Sequence, residues 1–383
     1  MDESPKVPVY PRLLPGTELI GVDGNTVLLR SFSRTVMFSG EFVKELPALI
    51  GQMDGRTPLE ELSSRVPERA RAEFEQFLAL LMNKHMLCDG VASGLLRTNG
   101  VHSQQDAFWS VQGPLPDETA ERMERTHVVI VDLGGVGLAV TLALAAAGFT
   151  RITGIDHRTI RGSDRELGYR QLEVGELRVD AVAARLNTAG CQHFWPVNQC
   201  VQQLPNWDDL VSKADLVVLC SDGMSLGAYE QTNETCLRHK TRWVSGRIDR
   251  QRGLIGPFVV PEQSACFTCF ELRSRANSEH PGDHAAIYRH WKDTVETPDD
   301  WPVHPAFAAI VGNYLALDIQ RVLAGNQVSV FLGRMFHLDF QTLESRFHDV
   351  LKLPRCPACS RERSRPLTRI WDIRAAEASH STD

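Results

Sequence analysis

A glycine-rich turn joins a buried strand to an apolar helix near the middle of this chain of 383 residues. The apolar run His127–Val131 predicts the strand, and residues 137–147, rich in Ala and Leu, predict the helix. The turn between them contains Gly134, Gly135, Val136 and Gly137. Glycines let backbone N–H groups approach a phosphate, and the start of a helix adds positive potential. The junction therefore predicts a nucleotide phosphate cradle, with a packing turn in a nucleotide-free sheet as the alternative.

The segments that follow the turn predict the fold class. A second strand over 151–155 leads into Asp156, where a carboxylate can hold a ribose hydroxyl. Further strands are predicted at 214–220, 242–246 and 254–260, and a long apolar helix at 306–323. Because strands and helices alternate, residues 126–383 are expected to form an α/β domain with a doubly wound, mostly parallel, Rossmann-like sheet.

Two Cys-x-x-Cys pairs bracket the C-terminal part of this predicted domain: Cys266 with Cys269, and Cys356 with Cys359. Four thiolates can surround Zn²⁺ tetrahedrally and leave no open coordination position, so the predicted zinc site is structural. The odd total of nine cysteines argues against a disulfide framework. A redox Cys-x-x-Cys is the alternative reading, and the presence of two copies argues against it.

The first 95 residues carry the pattern of a smaller α+β domain. Two runs flank Asp23-Gly24-Asn25 and predict a β-hairpin, and residues 35–38 predict a third strand. Apolar residues at helical spacing predict three helices, around 42–50, 59–66 and 74–87. The order matches a winged-helix pattern over 1–95, and the polar stretch 96–125 is interpreted as a linker.

Charge and hydropathy exclude some classes of function. A net charge of -7 and the acidic residues Glu60, Glu61 and Glu68 near the second helix argue against a DNA-binding winged helix and against nucleic acid partners in general. The chain has no run of about 18 apolar residues, so no membrane span is predicted. The first residues lack the basic and apolar regions of a signal peptide, so a cytoplasmic location is expected.

From about residue 126 to 360 the chain resembles the ThiF/E1-like family of ATP-dependent, carboxyl-activating enzymes. The resemblance rests on the glycine turn, Asp156, the cysteine pairs and three further stretches. These stretches are Ser163-Asp164-Arg165 with Tyr169-Arg170-Gln171, residues 173–178 ending in Arg178, and Ser221-Asp222-Gly223. Three positions depart from the family pattern. Asp132 stands in place of the first glycine, Asp164 in place of Asn, and the Arg that commonly follows the loop Asp is missing.

The resemblance implies a set of roles. Gly134 to Gly137 would hold the phosphates of ATP and Asp156 its ribose. Arg165, Arg170 and Arg178 would bring positive charge to the triphosphate, with a solvated basic face as the alternative for each Arg. Asp222 would help to bind Mg²⁺, and Asp222 and Arg170 are the implied catalytic residues. The resemblance also implies a homodimer.

Classical relatives that pass a protein to a thiol carry a cysteine in the segment after the first zinc knuckle, and residues 270–305 contain none. Transthiolation is therefore disfavoured. The segment contains His280, His284, His290, Lys292 and His304. We expect a solvated loop, with a lid that carries acid/base groups as the alternative.

A winged-helix unit ahead of an E1-like domain resembles the leader-recognition element of enzymes that modify ribosomally made peptides. In such enzymes a precursor peptide adds as a strand to the third strand. The expected peptide contacts are Arg34, Val36, Phe38, Phe74 and Leu78; for Phe74 and Leu78 a core position is an equal alternative.

The order of domains and the missing cysteine resemble the branch that makes pantocin-type antibiotics. This resemblance implies ATP-driven dehydration of a Glu-containing peptide to form a ring. The alternatives are adenylation of a small carrier protein, a non-catalytic peptide-docking subunit, and an NAD oxidoreductase.

Overall fold

The structure is a computed structural model. It describes residues 8–14, 16–31, 34–84, 86–90, 119–188, 191, 193–222, 226–293, 303–324 and 327–360. The chain divides into two compact units between Met123 and Glu124, here called unit 1 and unit 2. Residues 91–118, most of the predicted linker, lie outside the described residues, and the helix α4 (Thr119–Arg125) spans the division.

Unit 1 combines two small antiparallel sheets with short helices. Strand β1 (Pro11–Leu13) pairs with β5 (Leu87–Asp89), and β2 (Glu18–Asp23), β3 (Thr26–Ser31) and β4 (Arg34–Ser39) form a sheet in that order. The predicted hairpin turn between β2 and β3 is confirmed. The helices are α1 (Leu46–Ile50), α2 (Leu59–Arg65) and α3 (Arg71–Asn83).

Two helix predictions in unit 1 need correction. The first predicted helix begins as a 3-10 turn at Glu41–Lys44, and α1 follows with Pro47 in its first turn. Proline has no N–H and fits the start of a helix better than its interior, which explains the break. The third helix ends at Asn83, because Leu87 instead enters β5 and pairs with Leu13 of β1. Helical spacing alone could not reveal this pairing with a distant strand.

Unit 2 is built on one sheet of eight strands, in which five neighbours are parallel. These are β8 (His193–Val197), β7 (Arg151–Ile155), β6 (His127–Val131), β9 (Leu216–Ser221) and β10 (Arg242–Asp249), in that spatial order. Strands β11 (Arg252–Ile255), β12 (Arg334–Asp339) and β13 (Ser345–Asp349) extend the sheet antiparallel beyond β10. After β6 the chain forms β7 and β8 on one side of β6, and then β9 and β10 on the other side. The doubly wound, mostly parallel sheet is confirmed.

Helices flank this sheet. They are α5 (Gly135–Ala147), α6 (Arg178–Thr188), α7 (Trp207–Lys213), α8 (Leu226–His239), α9 (Phe267–Ala276), α10 (Pro281–Asp293) and α11 (Pro305–Leu323). Helix α11 contacts α5, β10 and β11. By length and composition α11 alone among the described helices could cross a membrane, but many of its side chains are buried inside unit 2. Its apolar character is that of a core helix.

Two segments differ from the sequence-based expectation. The strand predicted at 254–260 ends at Ile255, because Gly256 has a φ of 100° and Pro257 lacks an N–H for the ladder. The prediction of a solvated loop over 270–305 is wrong for the described part of this segment, which is mostly helical. Tyr288 and Trp291 of α10 pack against the core that also contains Tyr229 and Phe267, so tertiary packing stabilises this polar helix.

Candidate active site

The predicted phosphate cradle is occupied by carboxylates of the chain itself. Helix α5 begins at Gly135, and the Asp222 carboxylate accepts hydrogen bonds from the N–H groups of Gly135 and Val136, the latter at 2.9 Å. The Gly134 N–H donates to Asp132 Oδ1 at 2.8 Å. The start of a helix attracts anions, which explains why Asp222 lies there. Phosphate contact through these N–H groups therefore requires the two carboxylates to move.

Each glycine of the turn is also required by close packing. A Cβ at Gly134 would collide with the Asp222 carboxylate, and one at Gly137 with the Asp132 carbonyl oxygen. A Cβ at Gly135 would lie 2.8 Å from the Ala308 Cβ of α11. The glycines thus let Asp222 approach the helix and let α5 pack against its neighbours. This packing role is independent of any nucleotide.

Asp132, which replaces a family glycine, is accommodated by its backbone and by a cation. Its φ is 68°, in the left-handed region that glycine prefers and that Asp and Asn tolerate best among other residues. Its Oδ2 accepts a hydrogen bond from Arg158 Nη2 at 3.2 Å. The Asp132 charge raises the pKa of Arg158. Asp132 departs from the family pattern but therefore has a counter-ion, Arg158, within the site.

Arg178 lies at the centre of a buried ion-pair network. Its side chain is 4% exposed, and its guanidinium donates to Asp164 Oδ2 at 2.9 Å and to Asp156 Oδ2 at 3.4 Å. Asp132 Oδ1 lies 3.8 Å from Arg178 Nη1. Burial alone would lower the pKa of Arg178, but the three carboxylates raise it. Asp164, the second departure from the family pattern, therefore pairs with the Arg that stands where the family has Lys.

Asp156 is held in place by hydrogen bonds to both of its carboxylate oxygens. Its Oδ1 accepts from the Arg158 N–H at 2.8 Å, and its Oδ2 accepts from the Leu133 N–H at 2.9 Å. The residue is buried. It thus links the end of β7 to the turn after β6 and orients the loop on which a nucleotide would lie.

The cluster as a whole carries excess negative charge. Asp132, Asp156, Asp164 and Asp222 supply four carboxylates against the guanidiniums of Arg158 and Arg178. Burial, together with the charge of Asp132, raises the pKa of Asp222 from 3.8 to about 6, although its side chain keeps some contact with solvent. A triphosphate would add further negative charge. Binding one here therefore needs additional cations, which favours a divalent metal ion.

Arg165 and Arg170 lie on the exposed part of the segment between β7 and α6. The Arg170 side chain is 73% exposed, and its Nε lies 4.0 Å from Glu173 Oε1. Within the described residues, neither side chain forms a hydrogen bond or ion pair with Asp156, Asp222 or the glycine turn. The structure therefore brings together Gly134 to Gly137, Asp156, Arg178 and Asp222, and leaves Arg165 and Arg170 solvated.

A cleft opens at the carboxyl ends of β6, β7 and β9, where the chain order of the sheet reverses. It is lined by Asp132, Asp156, Arg158, Ser221 and Tyr229, among others. Clefts at this place in doubly wound sheets bind ligands in many proteins. Of the residues of the predicted nucleotide site, Asp156 lines this cleft, and Ser221, which precedes Asp222, lies in its wall.

The four predicted zinc ligands lie together. The Sγ atoms of Cys266 and Cys269 are 3.9 Å apart, those of Cys266 and Cys356 3.7 Å, and those of Cys269 and Cys359 3.6 Å. A tetrahedral ion with Zn–S bonds of about 2.3 Å needs sulfurs about 3.8 Å apart, whereas a disulfide bond would be about 2.05 Å. The donor set therefore fits Zn²⁺. It joins α9 to the segment after β13.

In unit 1, most of the predicted peptide contacts are core residues. Val36, Phe74 and Leu78 are buried, and the half-buried Phe38 packs against Phe77 of α3 with ring centroids 5.4 Å apart. For Phe74 and Leu78 the structure thus shows the core alternative. Arg34 lies at one end of β4, and its Nη1 donates to the Lys84 carbonyl oxygen at the end of α3.

Three residues of the site had no role in the sequence-based prediction. Arg158 pairs with Asp132, the Tyr169 hydroxyl donates to the Leu133 carbonyl oxygen at 2.6 Å, and Arg247 lies next to Tyr229. Only weak signals could have revealed them: a cation two residues after the acidic end of a strand, and an Arg inside an otherwise buried strand.

Comparisons with known proteins agree with this architecture. The sequence model of the ThiF family matches residues 109–360 of this chain. Molybdopterin-synthase adenylyltransferase of Escherichia coli strain K12 is 24% identical over 242 residues, which cover 62% of this chain and 89% of that protein. The solved structure of E. coli MccB with AMPCPP and MccA has a TM-score of 0.69 at 15% identity, covering 91% of this chain and 99% of MccB. That of PaaA has a TM-score of 0.65 at 19% identity, covering 88% and 99%.

The family match spans more than half of the chain and includes the cleft and all four cysteines. The likeness to MccB and PaaA concerns the fold, and its coverage is not confined to unit 2. The chain therefore belongs to the ThiF family and has the ThiF/E1-like fold of ATP-dependent adenylyltransferases.

Proposed function

We propose that this chain uses ATP to activate a Glu side-chain carboxylate of a ribosomally made precursor peptide, and that the activated group then closes a ring with loss of water. Unit 2 would carry out the chemistry, and unit 1 would capture the leader of the peptide. The expected reaction is of the kind that makes pantocin-like antibiotics.

One observation carries the proposal: the extent of the likeness. Molybdopterin-synthase adenylyltransferase matches 62% of this chain with 89% of its own length. MccB, which binds the precursor peptide MccA, and PaaA match 91% and 88% of this chain with 99% of their own chains. Adenylyltransferase and sulfurtransferase MOCS3 of Aedes aegypti matches 87% of this chain but with only 71% of its own length. MccB and PaaA thus differ from these two relatives in that nearly the whole of both chains is matched.

The proposed chemistry begins with attack of a carboxylate oxygen on the α-phosphorus of ATP. A new O–P bond forms, the bond to pyrophosphate breaks, and pyrophosphate leaves with its electron pair. An amide nitrogen then attacks the acyl carbon, AMP leaves, and the nitrogen loses its proton to solvent. Attack on the γ-phosphorus with loss of ADP is the alternative. Because two anions must meet in the first step, catalysis depends on charge screening and on positioning.

The residues of the cleft suit this task in part. Asp156 would orient the ribose, and Asp222 would hold Mg²⁺, which supplies positive charge near the reacting phosphate. The excess of carboxylates over guanidiniums in the cluster supports a requirement for this ion. Arg165 and Arg170, exposed in the free chain, would turn toward the bound phosphates.

Activation of a small carrier protein is the second candidate, and the sequence relatives favour it. The sulfur carrier protein adenylyltransferase of Thermus thermophilus, which is 26% identical over 254 residues, is named for acting on such a partner. The two candidates differ in their acceptor: a side-chain carboxylate within a peptide, or the C-terminal carboxylate of a folded protein.

Mass spectrometry decides between them. The chain is incubated with ATP, Mg²⁺ and a Glu-containing precursor peptide encoded beside its gene, and the nucleotide products are separated by chromatography. The proposal predicts loss of one water from the peptide for each ATP consumed, with AMP as the product if an adenylate forms. An unchanged peptide, together with AMP formation on a carrier protein that ends in Gly-Gly, would establish the second candidate instead.

A further inference from the structure

Arg247 is a nearly buried cation without a counter-ion in the described part of the chain. It lies near the end of β10 and is 7% exposed. Its Nε atom is shielded from solvent and has no hydrogen-bond partner among the described residues, and no described carboxylate lies within ion-pairing distance of its guanidinium. A buried charge that lacks a partner is strongly destabilising, so its presence beside a cleft points to a ligand.

Arg247 is held against a residue that lines the cleft. Its guanidinium carbon lies 5.3 Å from the centroid of the Tyr229 ring, a cation–π contact. Tyr229 is 1% exposed and forms part of the cleft wall. The Tyr229 hydroxyl lies near Arg247 and Ser245 but reaches hydrogen-bond geometry with neither. Two polar groups with unused hydrogen-bonding capacity therefore lie together behind the wall of the cleft.

The register of the sheet places Arg247 beside the reacting end of the cleft. Arg247 is paired with Ser221 on the parallel strand β9, the residue that precedes Asp222. Neighbouring strands are about 4.8 Å apart, and paired residues point to the same face. Along this edge of the sheet the order is Asp156 after β7, the glycine turn after β6, Asp222 after β9, and Arg247 on β10. A nucleotide with its ribose at Asp156 and its phosphates near Asp222 leaves Arg247 at the far end.

The nearest candidate for an internal partner is Glu271 of α9. Burial raises the pKa of Glu271, although Arg247 and His284 act in the opposite direction. No Glu271 oxygen lies within ion-pairing distance of Arg247. The charge of Arg247 thus lowers the pKa of Glu271, but Glu271 does not accept a hydrogen bond from the guanidinium.

We propose that Arg247 binds the carboxylate that is activated, beside Tyr229, and so selects a substrate whose reacting group is an anionic carboxylate. A guanidinium matches a carboxylate with two parallel hydrogen bonds, which also orient its oxygens toward the neighbouring phosphate. This inference rests on the proposed function. The carboxylate has two possible sources, a side chain or a chain terminus, and the same arginine would serve either.

Binding of two small probes tests the inference. N-acetylglutamic acid α-amide presents a side-chain carboxylate, and N-acetylglycine presents a terminal one. Each is titrated by saturation-transfer NMR into the full chain with AMPCPP and Mg²⁺, and AMPCPP affinity is measured separately by calorimetry. We expect Arg247→Gln to weaken binding of the recognised probe roughly 10-fold or more while AMPCPP affinity stays within about 2-fold. Arg250→Gln, an exposed charge on the same hairpin, is the matched control and should change neither.

The outcomes separate the two proposals. The probe that binds the wild-type chain and is lost in Arg247→Gln identifies the source of the carboxylate. Lower AMPCPP affinity with unchanged probe binding would overturn the inference and make Arg247 a phosphate ligand, and a wild-type chain that binds neither probe would also overturn it. Failure of the wild-type chain to bind AMPCPP, with arginine-dependent probe binding retained, would defeat the proposed function and leave the carboxylate site standing.

Thermal unfolding gives a second readout. If Arg247 only supported the fold, replacing it would lower the Tm. Replacing an unpaired buried charge with an apolar side chain of similar length is expected to be neutral or stabilising. We therefore expect Arg247→Met to keep the Tm of the free chain or raise it by roughly 2–8 °C while probe binding is lost. A clear fall in Tm with probe binding retained would show that Arg247 only supports the fold.

Discussion

At the scale of single residues, Asp222 combines a structural contact with a proposed chemical role. It accepts the two N–H groups at the start of α5 and lies next to the cleft. An N-terminal cap contributes about 1 kcal/mol to helix stability, so a change at this position affects both folding and chemistry. Two variants can separate the effects, because Asn keeps an acceptor oxygen but removes the charge, whereas Ala removes both.

We expect Asp222→Asn and Asp222→Ala each to lower ATP-dependent turnover roughly 100-fold or more, because both variants lose the carboxylate charge that would hold Mg²⁺ near the phosphate. The Ala variant should lower the Tm by roughly 2–4 °C and the Asn variant by less, since Asn keeps one of the two acceptor oxygens. Pyrophosphate release measures the first effect and differential scanning fluorimetry the second. Binding of the precursor peptide should persist in both variants; its loss would assign Asp222 to a structural role.

At the scale of elements, β4 suits peptide capture, because its outer edge pairs with no strand among the described residues. The Gly40 N–H donates to the Asn25 carbonyl oxygen, which sets the alternation of the ladder with β3. By this alternation the N–H groups of Val36 and Phe38 point toward β3, and that of Met37 points away from it. Met37 is also 61% exposed. An added strand would bond to this outward N–H, while Val36 and Phe38 support the edge from the core.

Met37→Pro removes the outward N–H without removing a bond to β3, and proline is tolerated on edge strands. If a leader peptide adds to β4, this variant should bind it roughly 2- to 10-fold more weakly, the range expected for one lost hydrogen bond. Met37→Val keeps the N–H and provides the control. Fluorescence anisotropy with labelled precursor peptide is the measurement. Equal affinities of the two variants would place the peptide elsewhere.

At the scale of the whole molecule, the four cysteines join segments that are far apart in the chain. Cys266 and Cys269 lie at the start of α9, and Cys356 and Cys359 lie after β13. A bound ion would hold the C-terminal part of the sheet to the helices beside Tyr229 and Trp243, because these side chains share one core with the cysteines. The free energy of metal binding would then contribute directly to the stability of unit 2.

Elemental analysis should find one Zn²⁺ per chain, and Cys356→Ser should abolish it. We expect this variant to lower the Tm by roughly 10 °C or more. It loses the free energy of metal binding, and the three remaining cysteines have no ion to bind. Cys88→Ser in unit 1 is the control and should keep the metal. A stable wild-type chain without bound metal would show that the four sulfurs only pack together.

The homodimer stays a prediction of the family resemblance. Helix α11 buries one side in unit 2 but exposes Ile310, Tyr314 and Leu317, which follow one another at helical spacing. Such a stripe would suit a contact with a second copy of the chain. Sedimentation velocity would show a species of twice the chain mass if the prediction is right.

The features that could be predicted from the sequence are those encoded by short, continuous patterns. The strand–glycine–helix junction, the hairpin at Gly24 and the four ligands of the metal site follow from local periodicity, turn chemistry and spacing. A glycine turn leaves few conformations open, and four thiolates at this spacing suit one kind of site. For these features residue identity and physical consequence are closely linked.

Only the tertiary structure decided where the charges of the site go. It paired Asp132 and Asp164 with Arg158 and Arg178, placed Asp222 on the start of α5, and left Arg247 without a counter-ion among the described residues. It also decided between the two equal alternatives for Phe74 in favour of the core, and made residues 281–293 helical where a solvated loop was expected. These outcomes depend on contacts between residues far apart in the chain. The energy of a charge depends on its neighbours and its burial, and no local pattern contains that information.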